Sequence, residues 1–441
     1  MNNKIAIIFE EEFLGVYPSL INAITLLSEQ NLQIEIWSAD RDSTFPNPPK
    51  FSSNVSFHKT HQNFNYDRNQ FYRENNFVNS ISVSHKSWKS YLPESIKVIY
   101  RKTRIFLRQK FETFPDELCL FKDKFKFFLL CLRRFTITKH DVLIAVDEVG
   151  MIAAMICFFF KRHETLIVFW SLEIDTGKSP LIFHRVIDLL FSFAVNSSNF
   201  VVIQEQTRLD ALTLKLGFSF LRQNVCFIPH SPIGRNAAKI KSNFFHQKFG
   251  FSSNDFVILH AGWIHDAMCV DRLAKSSAKW KKKYKLVLHE REFRSIDDPF
   301  IKHVIRLSEN RVYLSLQPVC FDRLDEVFSS AQIGIIAYDK RYGPGRENAH
   351  KASGKLGHFL KSGIPVVALN LPGYAEMFDQ YKCGMVFQDF NEVEDCIDSI
   401  LDNYDSFSKE AIRCFKDEFE FRKYFSPLLT SIEKFSTESN I

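Results

Sequence analysis

The chain has 441 residues and a mass near 51.5 kDa, which exceeds one ordinary domain and predicts two or three. Apolar residues make up 45% and charged residues 24%, proportions that are typical of a globular protein and exclude wholesale disorder. The net charge of +6 is too small for this length to indicate a nucleic-acid partner, so we expect none.

The nine cysteines show no C-x-x-C pair and no Cys/His cluster with zinc-ligand spacing. This pattern predicts buried, reduced thiols in a cytoplasmic protein rather than disulfides or a structural zinc site. The apolar run near the N-terminus, Ile5 to Phe9, is too short for a signal peptide. The longest uncharged apolar stretch, Val149 to Phe160, is shorter than the roughly 20 residues that a membrane-spanning helix needs.

The first forty residues predict a βαβ unit. Ile5 to Phe9 is typical of a buried parallel strand, and a loop that contains Gly15 follows it. Pro18 to Gln30 has one apolar face and predicts a helix, and Ile34 to Ser38 predicts the next strand. This order implies a doubly wound parallel sheet.

The segment from about 40 to 140 forms an insert that is polar and only weakly periodic. Within it, residues 97–134 have a basic, helical pattern in which Phe and Leu lie between the Lys and Arg residues. Two interpretations stay open for this stretch. One is contact with an anionic membrane surface, which would place the protein peripherally on the inner face of a membrane. The other is a set of helices that pack on the first sheet and expose a solvated basic side.

After residue 140, strands and helices alternate in two series, separated by Pro229-His230-Ser231-Pro232, which stops both helix and strand. We therefore predict an α/β fold with two Rossmann-like, doubly wound domains that face a cleft. The predicted bounds are 1–230 for the N-terminal domain, 231–253 for a linker, 254–405 for the C-terminal domain and 406–441 for C-terminal helices, two of them polar-faced.

Ligands of doubly wound domains bind beyond the carboxyl ends of the strands, so the loops after the strands hold the candidate site. The long loop from Tyr338 to Gly354 is the strongest feature. It contains several glycines, and Ser353-Gly354-Lys355 begins a helix, where free N–H groups favour a phosphate. A solvated basic loop before an ordinary helix is the alternative. The chain has neither a P-loop nor a dinucleotide-binding glycine motif.

Residues 353–387, SGKLGHFLKSGIPVVALNLPGYAEMFDQYKCGMVF, resemble the donor-binding stretch of GT-B fold glycosyltransferases, in particular the retaining, family-four-like group. The matching positions are Gly363, Pro365, Val366, Val367, Ala368, Gly373, Glu376 and Gly384. Other segments resemble the same family in the same order, namely 168–175, 201–208, 228–232, 261–266 and 328–338.

The resemblance implies that the C-terminal domain binds a nucleotide-diphosphate sugar, and that the N-terminal domain faces a glycan or lipid-linked acceptor. The implied donor-binding residues are Gly262, Trp263, Val319, Arg346, Asn348, Ser353, Gly354, Lys355, His358 and Glu376. By position, the backbone at Gly262 and the helix start at Lys355 would hold the diphosphate. Val319 would lie against the base, and Glu376 would neighbour the sugar. His350 and His358 stand where many relatives carry glutamates, so a ribose contact would use an imidazole.

The expected catalytic residues are Lys355 and Arg291, which would stabilise the leaving diphosphate, and Glu173, which would orient the acceptor or the sugar. Gly15, Asp147 and Glu173 would form the acceptor side. Glu173 and Asp147 each have an alternative interpretation as an acid at a helix N-terminus. No metal is expected, because no acidic cluster such as DxD follows a strand, and no cofactor is expected besides the donor substrate.

The sequence therefore predicts a glycosyltransferase of hexosyltransferase type, retaining and metal-independent, that works in polysaccharide biosynthesis. Two other functions stay open. One is a GT-B-like protein that binds a nucleotide sugar or a partner without catalysis. The other is a sugar-nucleotide epimerase, which would act on the donor alone.

Overall fold

The computed structural model contains two α/β domains joined by a short connection. The structure describes residues 4–10, 14, 17–30, 32–40, 49–61, 122–160, 164–174, 182–217, 223–234 and 241–438. Residues 97–121, the larger part of the basic-aromatic stretch, lie outside this range.

The first domain is built on a parallel sheet of seven strands. They are β1 (Lys4–Phe9), β2 (Gln33–Asp40), β3 (Val55–His61), β4 (Val142–Val146), β5 (Leu166–Trp170), β6 (Phe200–Ile203) and β7 (Asn224–Phe227). Their order is β3-β2-β1-β4-β5-β6-β7. The central strands β4 and β5 are buried along their whole length, because a parallel sheet covered on both faces needs apolar side chains on both sides. The order reverses between β1 and β4, which is where such sheets open a ligand crevice.

Helices cover both faces of this sheet. On one face lies α1 (Pro18–Ser28), which buries Leu20, Ile24 and Leu27. The opposite face is covered by α2 (residues 122–137), α3 (Asp147–Phe159), α4 (Ile182–Val195) and α5 (Gln206–Leu216). Apolar residues of these helices, including Phe127 and Phe191, form a second core on that face.

The second domain repeats the plan with a parallel sheet of six strands. They are β8 (Phe256–Ala261), β9 (Tyr284–His289), β10 (Tyr313–Ser315), β11 (Ile333–Ile336), β12 (Val366–Leu369) and β13 (Gly384–Phe387), in the order β10-β9-β8-β11-β12-β13. The helices around it are α6 (Phe244–Phe249), α7 (Val270–Ser277), α8 (Pro299–Leu307), α9 (Leu324–Phe328), α10 (Pro344–Glu347), α11 (Gly354–Lys361), α12 (Tyr374–Tyr381) and α13 (Val393–Asp402).

Local sequence sets the start of α8. At α8, the Asp298 carboxylate accepts hydrogen bonds from the N–H groups of Phe300 and Ile301, at 2.8 and 3.2 Å. Pro299 occupies the first helical position, where its missing N–H is not needed. The helix therefore begins at the position that its cap and its proline dictate.

The C-terminal segment returns to the first domain. After α14 (Tyr404–Cys414) and a π-helical turn (Phe415–Phe419) that pack on the second domain, α15 (Phe421–Glu438) lies against the first. Phe425 and its apolar neighbours on α15 enter the core beside α1, and the Phe425 ring stacks on Trp170 with centroids 6.1 Å apart. The two predicted tail helices are thus apolar on one face, which the polar pattern had obscured.

The predicted fold class of two Rossmann-like, doubly wound domains is confirmed. α6 lies within the segment expected to be a plain connection, and a six-residue helix is too short to show a period in the sequence. In the part of the chain that the structure describes, no helix combines the length and the apolar character needed to cross a membrane.

Candidate active site

The carboxyl ends of the two sheets face each other across a cleft of about 1170 Å³, a volume that includes its solvent-open part. The start of α1 and the loop after β5 form one wall, and the loops after β8 to β11 with the start of α11 form the other. The predicted site residues that line it are Glu173, Gly262, Trp263, Arg291, Val319, Arg346, Gly354, Lys355 and His358. The fold thus brings residues from distant parts of the chain to one cleft.

Lys355 places a buried cation in this cleft. Its Nζ atom is inaccessible to solvent and has no hydrogen-bond partner among the described residues. Nζ lies 4.9 Å from the centroid of the Tyr338 ring, a cation–π contact. Burial, followed by the positive charges of Arg346 and Arg291, lowers the pKa of Lys355 to about 7. A desolvated cation beside two arginines is unfavourable alone and becomes favourable when an anion enters.

The start of α11 adds a second positive feature at the same point. Ser353 precedes the helix, but its hydroxyl does not cap it and instead shares a hydrogen bond of 2.8 Å with the Tyr338 hydroxyl. The first N–H groups of α11, at Gly354 and Lys355, therefore have no side-chain acceptor among the residues that the structure describes. They point the positive end of the helix dipole to the cleft wall that Lys355 also forms.

The loops after β8 and β9 hold an arginine against an aromatic stack. Gly262 has a φ of +114°, and its N–H donates to the His289 carbonyl oxygen at 2.9 Å, so that this N–H is already engaged. The Trp263 ring stacks on His265 with centroids 4.0 Å apart. The Arg291 guanidinium lies 5.5 Å from the Trp263 ring centroid, which fixes a cation at this wall.

Glu290 is a cleft residue that the sequence analysis did not single out. Its buried carboxylate accepts hydrogen bonds from the N–H groups of Ile264 at 3.0 Å and Arg291 at 2.8 Å. Arg294 lies 3.4 Å away. Burial is the main reason that the pKa of Glu290 rises to about 7. Its position directly after β9 was the available sign of a site residue. The sequence of this charged loop, however, does not show that the carboxylate is buried.

An apolar wall lies next to these charges. Val319, Leu324 and Phe328 line it, and the His358 ring stacks on Phe328 with centroids 4.7 Å apart. The ring nitrogens of His358 have no hydrogen-bond partner among the described residues, although the Asp325 carboxylate lies 3.9 Å away. Burial lowers the pKa of His358, so the ring is neutral near pH 7 and offers one donor and one acceptor.

Glu173 is the exposed carboxylate of the first-domain wall. Asp147 does not line the cleft and does not cap α3; its Oδ1 accepts from the N–H groups of Leu172 and Glu173, at 2.7 and 3.1 Å. Asp147 has a φ of +54°, a strained backbone for a non-glycine residue. It positions the loop that carries Glu173. Gly15 lies outside the described residues.

His230 also lines the cleft, whereas the sequence analysis used it only to mark a domain boundary. Its Nε2 lies 3.2 Å from Nε2 of Gln204, whose amide donates to it. Burial, followed by the charge of Arg208, lowers the pKa of His230 to about 4. The ring is therefore neutral, with its proton on Nδ1 because Nε2 accepts the hydrogen bond.

Arg208 ties the two domains together beneath the cleft. Its buried guanidinium donates to the carbonyl oxygen of Leu172 in the first domain, at 3.1 Å. It also donates to the carbonyl oxygens of Gly345 and Asn348 in the second, at 3.1 and 3.3 Å. Asn348 therefore contributes its backbone to the domain joint and is not part of the cleft wall.

Two further predicted residues lie away from the cleft. Glu376 is exposed in the first turn of α12. His350 places Nδ1 3.0 Å from Oε2 of Glu205, across the domain boundary. Among the residues that the structure describes, no three His, Cys, Asp or Glu side chains are grouped to hold a metal ion.

Comparison with known proteins supports the architecture. No protein-family model and no curated protein sequence matches the chain. Sucrose-phosphate synthase from Thermosynechococcus elongatus matches with a TM-score of 0.62 at 11% identity, covering 99% of both chains. HepE from Anabaena, solved with UDP and glucose, matches with a TM-score of 0.62 at 12% identity, covering 98% of this chain and 100% of that one.

The chain has the GT-B fold. A trehalose-phosphate synthase from Burkholderia vietnamiensis agrees, with a TM-score of 0.56 at 12% identity, 97% of this chain and 100% of that one being covered. The structural neighbours are GT-B glycosyltransferases, so the predicted resemblance to the GT-B fold is confirmed. Because identities are this low, the likeness establishes the fold, and the activity has to be argued from the cleft.

Proposed function

We propose that the protein is a glycosyltransferase that binds a nucleotide-diphosphate sugar in the cleft between its domains. The observation that carries this proposal is the buried, unpartnered ammonium of Lys355 beside Arg291 and Arg346. A diphosphate is a compact anion that would pair with the Lys355 ammonium and accept further hydrogen bonds from Arg291, Arg346 and the first N–H groups of α11.

The apolar wall supports a nucleotide rather than a simple phosphate. Val319 and Leu324 provide a surface for a planar base, next to the stacked pair of Phe328 and His358. In this arrangement the neutral imidazole of His358 exchanges hydrogen bonds with a ribose hydroxyl. The UDP complexes of the HepE neighbour motivate UDP as a first donor to test.

The positive residues also supply the chemistry that we propose. Cleavage of the bond between sugar and diphosphate places negative charge on the leaving oxygen, and Lys355 and Arg291 would stabilise that charge. We propose that they do so without a metal ion, that no cofactor is used, and that the sugar is transferred with retention. The acceptor, a glycan or a lipid-linked molecule, would enter beside Glu173 and His230, which line the opposite wall.

A protein that binds the donor without turnover is the second candidate. His350, at one of the two positions where relatives carry glutamate, pairs with Glu205 and does not line the cleft. One carboxylate contact to the donor nucleotide would then be missing. This candidate differs from a transferase in turnover and not in binding.

The test of the donor site is calorimetric titration with UDP and with GDP, with EDTA present. We expect one of them to bind without added metal. Lys355→Ala should weaken binding more than His358→Ala, because a charge-assisted contact contributes about 1.5–3 kcal/mol and a neutral hydrogen bond about 0.5–1.5 kcal/mol. Lys340→Ala, which removes an exposed lysine outside the cleft, is the matched control and should leave affinity unchanged.

Three outcomes would count against parts of this proposal. Binding that appears only with Mg²⁺ would refute metal independence. Equal losses for Lys355→Ala and His358→Ala would show that the diphosphate lies elsewhere. Failure of both nucleotides to bind under all of these conditions would refute the donor site itself.

A further inference from the structure

An apolar surface covers the outside of the first domain. Most of the large, exposed apolar side chains among the described residues project from α2, α3, α4 and α5, on the side away from the sheet. They are Phe125, Leu129, Ile137, Phe159, Phe160, Val186, Leu189, Phe193 and Leu214. The described counterparts in the second domain are Phe293 and Ile296, both in one loop.

The spacing of these residues shows that α4 is apolar on two sides. On α4, Val186, Leu189 and Phe193 recur at helical spacing and are 45%, 59% and 64% exposed. Ile187 and Phe191 on the same helix are buried in the core. A surface helix needs one apolar stripe to pack on its sheet, so a second, outward stripe indicates that something else covers it.

The charges on α2 identify the kind of partner. This helix carries five cations, of which Lys124, Lys126 and Arg134 pair with carboxylates of Glu10, Asp123 and Glu35. Lys122 and Arg133 are exposed and form no ion pair among the described residues. Phe125 and Leu129 lie between them and are 52% and 50% exposed. Cations that flank exposed aromatic and aliphatic side chains match an anionic lipid surface, which offers charge outside and hydrocarbon beneath.

We infer that the outer surface of α2, α3 and α4 docks on an anionic membrane, with the apolar side chains in the headgroup boundary. This inference goes beyond the proposed transferase reaction and is independent of it.

The experiment is co-sedimentation of the full chain with vesicles of phosphatidylcholine alone and with added phosphatidylglycerol, at low and high salt. We expect binding to anionic vesicles that weakens with salt. Leu189→Gln with Phe193→Gln should lower the partition coefficient on the order of tenfold or more. Lys122→Gln with Arg133→Gln should lower it about fivefold per charge at low salt. Phe293→Gln with Ile296→Gln is the matched control and should bind as the wild type does.

UDP and GDP titrations of the same variants separate this inference from the proposed function, since nucleotide affinity should be unchanged and also reports a folded cleft. The inference would be overturned if the wild-type protein does not bind anionic vesicles at low salt. A concentration-dependent dimer in sedimentation velocity that Leu189→Gln with Phe193→Gln abolishes would also overturn it, because a second copy would then be the occupant.

Discussion

The pKa of Lys355 depends on whether an anion occupies the cleft. In the free protein its pKa is about 7, because burial and two arginines disfavour the charge. A bound diphosphate favours the charged form, so it raises this pKa. Affinity is therefore complete below pH 7 and is lost as pH rises above it, by up to about tenfold per pH unit for one linked proton.

This pH dependence is best measured with UDP-glucose, whose diphosphate does not titrate in this range, in calorimetric titrations from pH 6 to 9. Lys355→Arg should flatten the profile, because arginine stays protonated. Glu290, with a pKa of about 7, gains negative charge over the same range and weakens binding in the same direction. The pH dependence of affinity that remains in the Lys355→Arg variant should disappear when Glu290→Gln is added. An unchanged slope in Lys355→Arg would contradict this role of Lys355.

Some residues of the candidate site could be predicted from the sequence, and others could not. Ser353-Gly354-Lys355 could be recognised because a helix start, a glycine and a cation adjoin in the chain. Glu290 could not, since its pKa depends on burial beneath a loop 26 residues away in sequence. Nor could the hydrogen bond between His230 and Gln204, which unites the ends of two strands.

At the scale of elements, the loop before α11 depends on a helix of the other domain. Arg208, on α5, donates to the carbonyl oxygens of Gly345 and Asn348. Arg208→Ala leaves these buried acceptors without their donor, and we expect it to lower the free energy of unfolding by about 2–3 kcal/mol. It should also weaken UDP binding, because the loop that leads to Lys355 loses its support.

Thermal or urea unfolding together with UDP titration measures both effects. Arg422→Ala is the control, because the Arg422 side chain forms an exposed ion pair with Glu29, at 3.4 Å, and no other ion pair with a described residue. It should change stability by less than about 0.5 kcal/mol. If Arg208→Ala is as stable as this control, the loop does not depend on the domain joint.

The strands were readable from the sequence, whereas short helices were not. β1, β4, β5 and β8 are apolar runs bounded by polar residues, so their positions follow from local composition. α10 has four residues, too few for any period, and its conformation depends on Gly343 and on the joint with Arg208. The fold class was therefore predictable, while the contacts that shape the cleft were not.

At the scale of the whole molecule, the chain crosses between domains twice. The connection after β7 passes to the second domain, and α15 returns to the first, where Phe425 packs on Trp170. The place of α2 in the first domain could not be predicted from the sequence. This helix joins its domain through core residues such as Phe127 rather than through a repeated motif. The first crossing begins beside the cleft, because His230, three residues after β7, lines its wall.

We propose that this cleft releases a nucleoside diphosphate from a sugar donor. The most direct measurement is nucleoside diphosphate release from a panel of UDP- and GDP-sugars, with a membrane lipid extract as the source of acceptor. We predict that the wild type and Lys340→Ala release it at equal rates, and that Lys355→Ala is slower by about 10²-fold or more. Tight donor binding without release from any donor, or an undiminished rate in Lys355→Ala, would contradict the account.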